Sequence, residues 1–209
     1  MTGDSQKPST SNIVWFSSQV SHAERCKLFK QQAITIWFTG LSASGKSTLA
    51  YALERRLVDM GRACYVLDGD NVRHGLNKGL SFSEQDRSEN IRRVAEVAKL
   101  MNDAGLIVIT SFISPNRHDR DLAKNVIGTE KFLETYVSTP IAICERRDPK
   151  GMYKQARAGK IREFTGVSAA YEPPALPWLK IDTASSTITE CIDVLVEKLS
   201  FDESNQLNA

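Results

Sequence analysis

Nine consecutive residues, Gly40-Leu41-Ser42-Ala43-Ser44-Gly45-Lys46-Ser47-Thr48, set two glycines, a lysine and a hydroxyl at the spacing G-x-x-x-x-G-K-[ST]. That spacing suits a triphosphate. The glycines let the backbone curl until several N–H groups converge on phosphate oxygens, and a helix that follows adds the positive end of its dipole. Lys46 supplies a point charge for the outer phosphates, and the Ser47 hydroxyl is placed to ligate Mg²⁺. The segment therefore reads as a nucleoside triphosphate site.

Phosphoryl transfer also needs carboxylates, one to hold the metal or its waters and one to accept or orient the acceptor hydroxyl. Asp68 and Asp70, with Gly69 between them, could divide that work. The plainer alternative is that Asp68-Gly69-Asp70-Asn71 is turn chemistry, since all three residue types favour turns. Arg73, Arg87, Arg92 and Arg93 cluster around Phe82 and Asn90. Arginine forks suit phosphate or sulfate oxygens and an aromatic face suits a nucleobase, so the set suggests a second anionic site for the phosphoryl acceptor. From Arg146 to Gly166 the chain carries seven Lys or Arg residues against two acids. Such a run is often a solvated helix face. With glycine hinges it also suits a lid, over about 146–166, that closes on phosphates and excludes water.

These groups need a scaffold that delivers them to one edge. The apolar run Ile34–Phe38 predicts a strand leading into the phosphate loop. A helix is expected from Ser47 to Met60, with Leu49, Leu53, Leu57 and Met60 on one face and Gly61 as its stop. Cys64–Asp68 is a second strand, and Leu106–Phe112 a third whose near-continuous apolar character means burial on both faces. Between them a helix from about Ser83 carries the stripe Ile91, Val94, Ala98 and Met101, with Ser83 and Asp86 spaced as a capping pair. Leu133–Val137 and Leu179–Ile181 read as further strands. A final helix bears Ile188, Ile192, Leu195 and Leu199 behind a Thr187–Glu190 cap. Strands alternating with helices give an α/β fold with an open parallel sheet flanked by helices, its ligands at the carboxyl ends of the strands.

The 209 residues are 41% hydrophobic and 25% charged. That is ordinary for one globular domain, here expected over residues 13–209 behind a polar, disordered tail at 1–12. A net charge of +2 argues for no nucleic-acid or membrane partner. The apolar runs are too short to span a bilayer. No secretory signal is visible, and Cys26, Cys64, Cys144 and Cys191 form no C-x-x-C pair. A reducing, cytoplasmic setting fits, with Cys64, Cys144 and Cys191 as buried, inert thiols.

Several segments recur in one order and carry a family resemblance. They are Phe38 to Thr48, Leu67-Asp68-Gly69-Asp70-Asn71-Val72-Arg73-His74-Gly75-Leu76, Asp86 to Arg93, and Ser111-Phe112-Ile113-Ser114-Pro115. Asp148 to Lys154, Phe164-Thr165-Gly166 and Tyr171-Glu172-Pro173-Pro174 complete the order. From about Asn12 to Leu199 the chain resembles the adenylylsulfate kinase, or APS kinase, family. The resemblance implies a P-loop NTPase kinase fold that uses ATP and Mg²⁺ to phosphorylate the 3′-hydroxyl of adenosine 5′-phosphosulfate (APS), giving PAPS and ADP. It implies Lys46, Asp68, Asp70 and Ser114 as catalytic residues, Ser114 matching a position phosphorylated in some members. Acceptor residues would be Asp70, Arg73, Phe82, Arg87, Asn90, Ile113, Ser114, Lys150 and Phe164, with Phe82 and Phe164 sandwiching the adenine. A homodimer is implied as well.

Two departures from the family pattern are visible. Ala43 stands where many members have glycine, with little effect expected. Ser18 and Ala33 stand at the regulatory cysteine positions of plant members, so no such switch is expected. The alternative is another small-molecule P-loop kinase. A GTPase should show N-K-x-D, and Asn77-Lys78-Gly79-Leu80 lacks the acid.

Overall fold

Residues 13–199 are described by the computed structural model. The expected tail at 1–12 lies outside them. Helix α1 (His22–Phe29) comes first and is held by a full Ser21–Glu24 capping box. Strand β1 (Thr35–Thr39) follows, buried along its whole length. Its alternate side chains serve opposite faces of the sheet, as a two-residue period requires. Ile36 and Phe38 join Leu49, Leu53 and Leu57 of α2 (Lys46–Asp59), and Trp37 faces the other way.

Strand β2 (Cys64–Asp68) runs into a 3₁₀ turn at Asn71–His74. After it come α3 (Glu84–Asp103), β3 (Ile107–Ser111), α4 (Arg117–Ile127) and β4 (Phe132–Val137). Then follow α5 (Ile141–Arg147), α6 (Met152–Arg157), β5 (Leu179–Ile181) and α7 (Ile188–Leu199). All neighbouring strands are parallel, in the order β2-β3-β1-β4-β5. One layer packs α2 and α7 on the sheet through Leu53, Leu57, Ile192 and Leu195. The other packs α3 and α4 through Ile91, Val94, Ala98, Ala123 and Ile127. This is the α/β fold with an open, helix-flanked parallel sheet that the sequence predicts. No helix among the described residues is long and apolar enough to cross a membrane.

Some expectations change in detail. Met60 is the C-terminal cap residue of α2 and is exposed rather than inward, as is Ile188 at the start of α7. The Ser83 hydroxyl accepts from Asp86 N at 3.2 Å, but the Asp86 carboxylate turns to Ser81 instead of closing the box. Thr187 and Glu190 make both halves of theirs. All four cysteines are free, Cys144 and Cys191 buried and Cys64 only half-buried on the edge strand. The helices at 22–29 and 117–127 carry no expectation from the sequence.

Candidate active site

Parallel strands bring their carboxyl ends to one edge, so the segments after β1, β2 and β3 meet there. Backbone ties draw them together: Gly40 N–H donates to the Ile113 carbonyl at 3.4 Å and Gly69 N–H to the Ser111 carbonyl at 3.0 Å. Gly40 has no substitute at its position. A Cβ there would lie 2.5 Å from the Val137 carbonyl oxygen, with φ at +151°. Ala43 takes φ +57°, the left-handed region, where a side chain costs about 1–2 kcal/mol. Alanine is therefore not the neutral stand-in that the sequence suggests.

Helix α2 begins at Gly45 with no side-chain cap and no acid in its first turn. The other long helices carry one: Glu84 and Asp86 on α3, Asp119 on α4, Glu190 on α7. The N–H groups and positive dipole end of α2 are thus left for an external anion. The Ser44 hydroxyl beside them is buried with no protein partner among the described residues. Lys46 is nearly buried and donates to the Leu41 carbonyl at 2.7 Å. Burial lowers its ammonium to about 8.

The Ser47 hydroxyl donates to Asp68 Oδ2 at 2.7 Å and lies 3.1 Å from the Ser111 hydroxyl. Asp68 Oδ1 meanwhile accepts from Asp70 N at 3.0 Å and Asn71 N at 3.4 Å. One carboxylate thus does both jobs weighed from the sequence, holding the turn with one oxygen and facing the phosphate loop with the other. Hard oxygen donors of this kind fit Mg²⁺, which binds through one or two protein groups together with substrate phosphates. Ser47 and Asp68 would hold it. Asp70 projects outward, 68% exposed, and pairs with Lys150 of the basic segment. The Asp70 carboxylate in turn raises the Lys150 ammonium.

Around the turn after β2, the Arg73 guanidinium sits over the exposed Phe82 ring, 4.3 Å from its centre. Arg87 spans two segments, with Nε on the Phe82 carbonyl at 2.8 Å, Nη2 on the Glu163 carbonyl at 2.7 Å and Nη1 on Thr165 Oγ1 at 2.9 Å. Asn90 is buried, its Oδ1 accepting from Asn77 Nδ2 at 2.9 Å. Arg92 and Arg93 turn away to Glu89, so they do not join this group.

Phe164 lies between the two residues that Arg87 grips, but its ring is buried. It packs edge-on to Tyr153 at 5.0 Å, in a small cluster with Cys144 and Ala156 over Leu41 and Ala43. That cluster seats the basic segment on the phosphate loop, which a merely solvated face would not do. Ser114 is also buried. Its hydroxyl accepts from Trp37 Nε1 at 3.2 Å, beneath the surface, so the geometry does not present it as a phosphate acceptor.

Sequence reading misses Ser111, whose place is set by register alone: it pairs with Asp68 across β2 and β3. It also misses Thr183, which donates to the Ser44 carbonyl at 2.8 Å and accepts from Arg147 at 2.8 Å, bracing the loop from below.

A family model described as adenylylsulphate kinase matches residues 32–182. An adenylyl-sulfate kinase of Aeromonas salmonicida is 54% identical over 90% of this chain and 96% of its own. A probable adenylyl-sulfate kinase of Halalkalibacterium halodurans is 52% identical over 98% of this chain and 100% of its own. The structure of the Mycobacterium tuberculosis APS kinase CysC in complex with AMPPNP and APS matches with a TM-score of 0.78. It is 46% identical and covers 80% of this chain and 98% of that one.

Proposed function

The chain belongs to the adenylylsulphate kinase family, and from that premise we propose how its own residues carry the reaction. The enzyme transfers the γ-phosphoryl group of ATP to the 3′-hydroxyl of APS, yielding PAPS and ADP, and uses Mg²⁺. A bond forms between the 3′-oxygen and the γ-phosphorus while the bond from that phosphorus to the ADP oxygen breaks. The hydroxyl proton must leave as this happens.

The Gly40–Thr48 loop and the N-terminus of α2 bind the phosphates, and Lys46 places its charge on oxygens that gain charge in the transition state. Ser47 and Asp68 would hold the Mg²⁺, which would supply positive charge to the phosphates during transfer. Asp70 orients the 3′-hydroxyl and takes its proton. Phe82 supports the APS adenine, while Arg73, Arg87 and Asn90 meet its phosphosulfate end, with Ile113 and Ser114 lining the pocket by their backbone. The observation that carries this division is the split of the acidic pair. Asp68 faces Ser47 at 2.7 Å, and Asp70, two residues on, faces outward to Lys150. Lys150 and the ring of Phe164 then belong to a lid over about 146–166, hinged near Gly151 and Gly159, which both take left-handed φ.

The deciding experiment measures ADP release from Mg·ATP with APS, AMP, gluconate or shikimate as acceptor. APS should be turned over and the others left nearly untouched. Equal turnover of AMP and APS would remove the acceptor assignment and favour another small-molecule P-loop kinase.

The same reading includes a single domain over 13–209, a homodimer and a cytoplasmic location. Four consecutive exposed apolar residues, Ile13, Val14, Trp15 and Phe16, support self-association. The four free thiols suit a reducing compartment. Light scattering of the purified chain tests the dimer, and cell fractionation the location.

A further inference from the structure

Arg120 of α4 is 1% exposed, yet none of its guanidinium nitrogens is idle. Nε meets Glu134 Oε1 at 2.6 Å, Nη1 donates to the Ser114 carbonyl at 2.6 Å and Nη2 to the Glu172 carbonyl at 2.7 Å. A cation so buried is tolerated only when paired and hydrogen-bonded. Here the planar fork ties together two carbonyls from separate segments, the exit of β3 and the stretch before Pro173.

Those segments are joined again around it. Glu172 N–H donates to the Pro115 carbonyl at 2.9 Å. The Tyr171 ring lies 5.9 Å from the Arg120 guanidinium, and its hydroxyl is 2.9 Å from Thr39 Oγ1. Thr39 in turn donates to the Ile113 carbonyl at 2.8 Å. Such ties are needed locally, because Ser114 holds φ +38°, a left-handed value for a residue with a side chain. A conformation of that kind persists only where its surroundings over-determine it.

We propose that Arg120 is a positioning residue for the phosphoryl acceptor. By gripping the Ser114 and Glu172 carbonyls it holds the Ile113–Ser114 backbone in its left-handed turn against APS, without touching APS itself. This rests on the reading above that Ile113 and Ser114 line the acceptor pocket. Lysine cannot replace arginine in the role, since a point charge does not hold three acceptors in one plane.

The test compares Arg120→Lys, Glu134→Gln and Phe82→Ala by KM for APS, KM for ATP and melting temperature. Arg120→Lys should raise KM for APS about tenfold and leave KM for ATP within about twofold, the scale of one charge-assisted hydrogen bond. Glu134→Gln, at a partly exposed position, should move in the same direction by roughly threefold. If Arg120→Lys does not fold, Glu134→Gln decides. Equal rises in both KM values, or an unchanged KM for APS, would overturn the proposal and leave Arg120 a structural ion pair. The Phe82→Ala variant separates the two levels. If it raises KM for APS while the Arg120 and Glu134 variants do not, the acceptor site stands and the positioning role falls. If it leaves KM for APS unchanged, the acceptor-site reading fails and takes this proposal with it.

Discussion

Ser47, in the first turn of α2, and Asp68, the last residue of β2, lie 21 residues apart and meet hydroxyl to carboxylate at 2.7 Å. Asp68→Asn can keep the acceptor oxygen that holds the turn, and it replaces the charged acceptor facing Ser47 with a neutral amide NH₂ donor. Turnover should fall by about 10²-fold or more, the scale of a lost metal-holding group, while the fold survives. The Mg²⁺ concentration for half-maximal rate should rise. Wild-type turnover at ordinary Mg²⁺ would reduce Asp68 to a turn residue.

Lys46 should make nucleotide binding proton-linked. In the free protein burial lowers its pKa to about 8. Phosphate oxygens favour the charged form and raise that value again, so binding takes up a proton wherever the free lysine is partly neutral. Near pH 8 the uptake should be about half a proton, and at pH 7 about a tenth. Affinity therefore weakens as pH rises through 8. Calorimetry with metal-free ADP in two buffers of different ionisation heat measures this, and at pH 8 the nucleotide's own phosphates are already ionised. Lys46→Ala should abolish the uptake and lower turnover severely in a folded protein. A buffer-independent heat at pH 8 for the native chain would refute it.

The phosphate loop was legible because its chemistry lies in consecutive residues, and the strands because their apolar runs are unbroken. Helix α4 was not, since the buried Arg120 interrupts the inner stripe that Ala123 and Ile127 continue. Helix α1 buries no residue and so has no stripe to read. Ser111 is recognisable only from its register beside Asp68, and the strain at Ala43 only from its dihedral. Residue types alone suggested an anionic acceptor site around Phe82 and Asn90 but included Arg92 and Arg93, which pair with Glu89 instead. The distant Ile113, Ser114, Lys150 and Phe164 were added only by the family resemblance.

Phe82 and Phe164 should not respond alike. Phe82 is 65% exposed with the Arg73 guanidinium over its ring, whereas Phe164 is 7% exposed and packs in the cluster with Tyr153. Phe82→Ala should weaken APS by roughly ten- to hundred-fold, as loss of a stacking surface does, with little change in melting temperature. Phe164→Ala opens a cavity that costs about 3–5 kcal/mol, so it should melt several degrees lower and weaken both substrates. Equal, APS-specific losses in both variants would restore a symmetrical clamp.

Ser114→Ala separates a phosphorylated intermediate from a structural hydroxyl. The hydroxyl accepts from the buried Trp37 indole, so its removal leaves that N–H unpaired at about 1–3 kcal/mol. Stability should drop by that amount while turnover stays within a few-fold. Loss of turnover in a variant with native melting temperature would make the hydroxyl a participant.

Asp70 offers the sharpest test of the transfer step. Its carboxylate is exposed and held by Lys150, a cation from the basic segment. On the proposed reading the 3′-hydroxyl of APS gives its proton to that carboxylate, and Asp70→Asn no longer offers it a base. Turnover should fall by roughly 10²-fold or more, the usual cost of a lost general base. Lys150→Met unpairs Asp70 without removing it, and should raise KM for APS more than it lowers turnover. Because both side chains are two-thirds exposed, neither change should shift the melting temperature appreciably. If Asp70→Asn raised KM for APS and left turnover intact, Asp70 would only shape the pocket, and the proton would have to leave by another route.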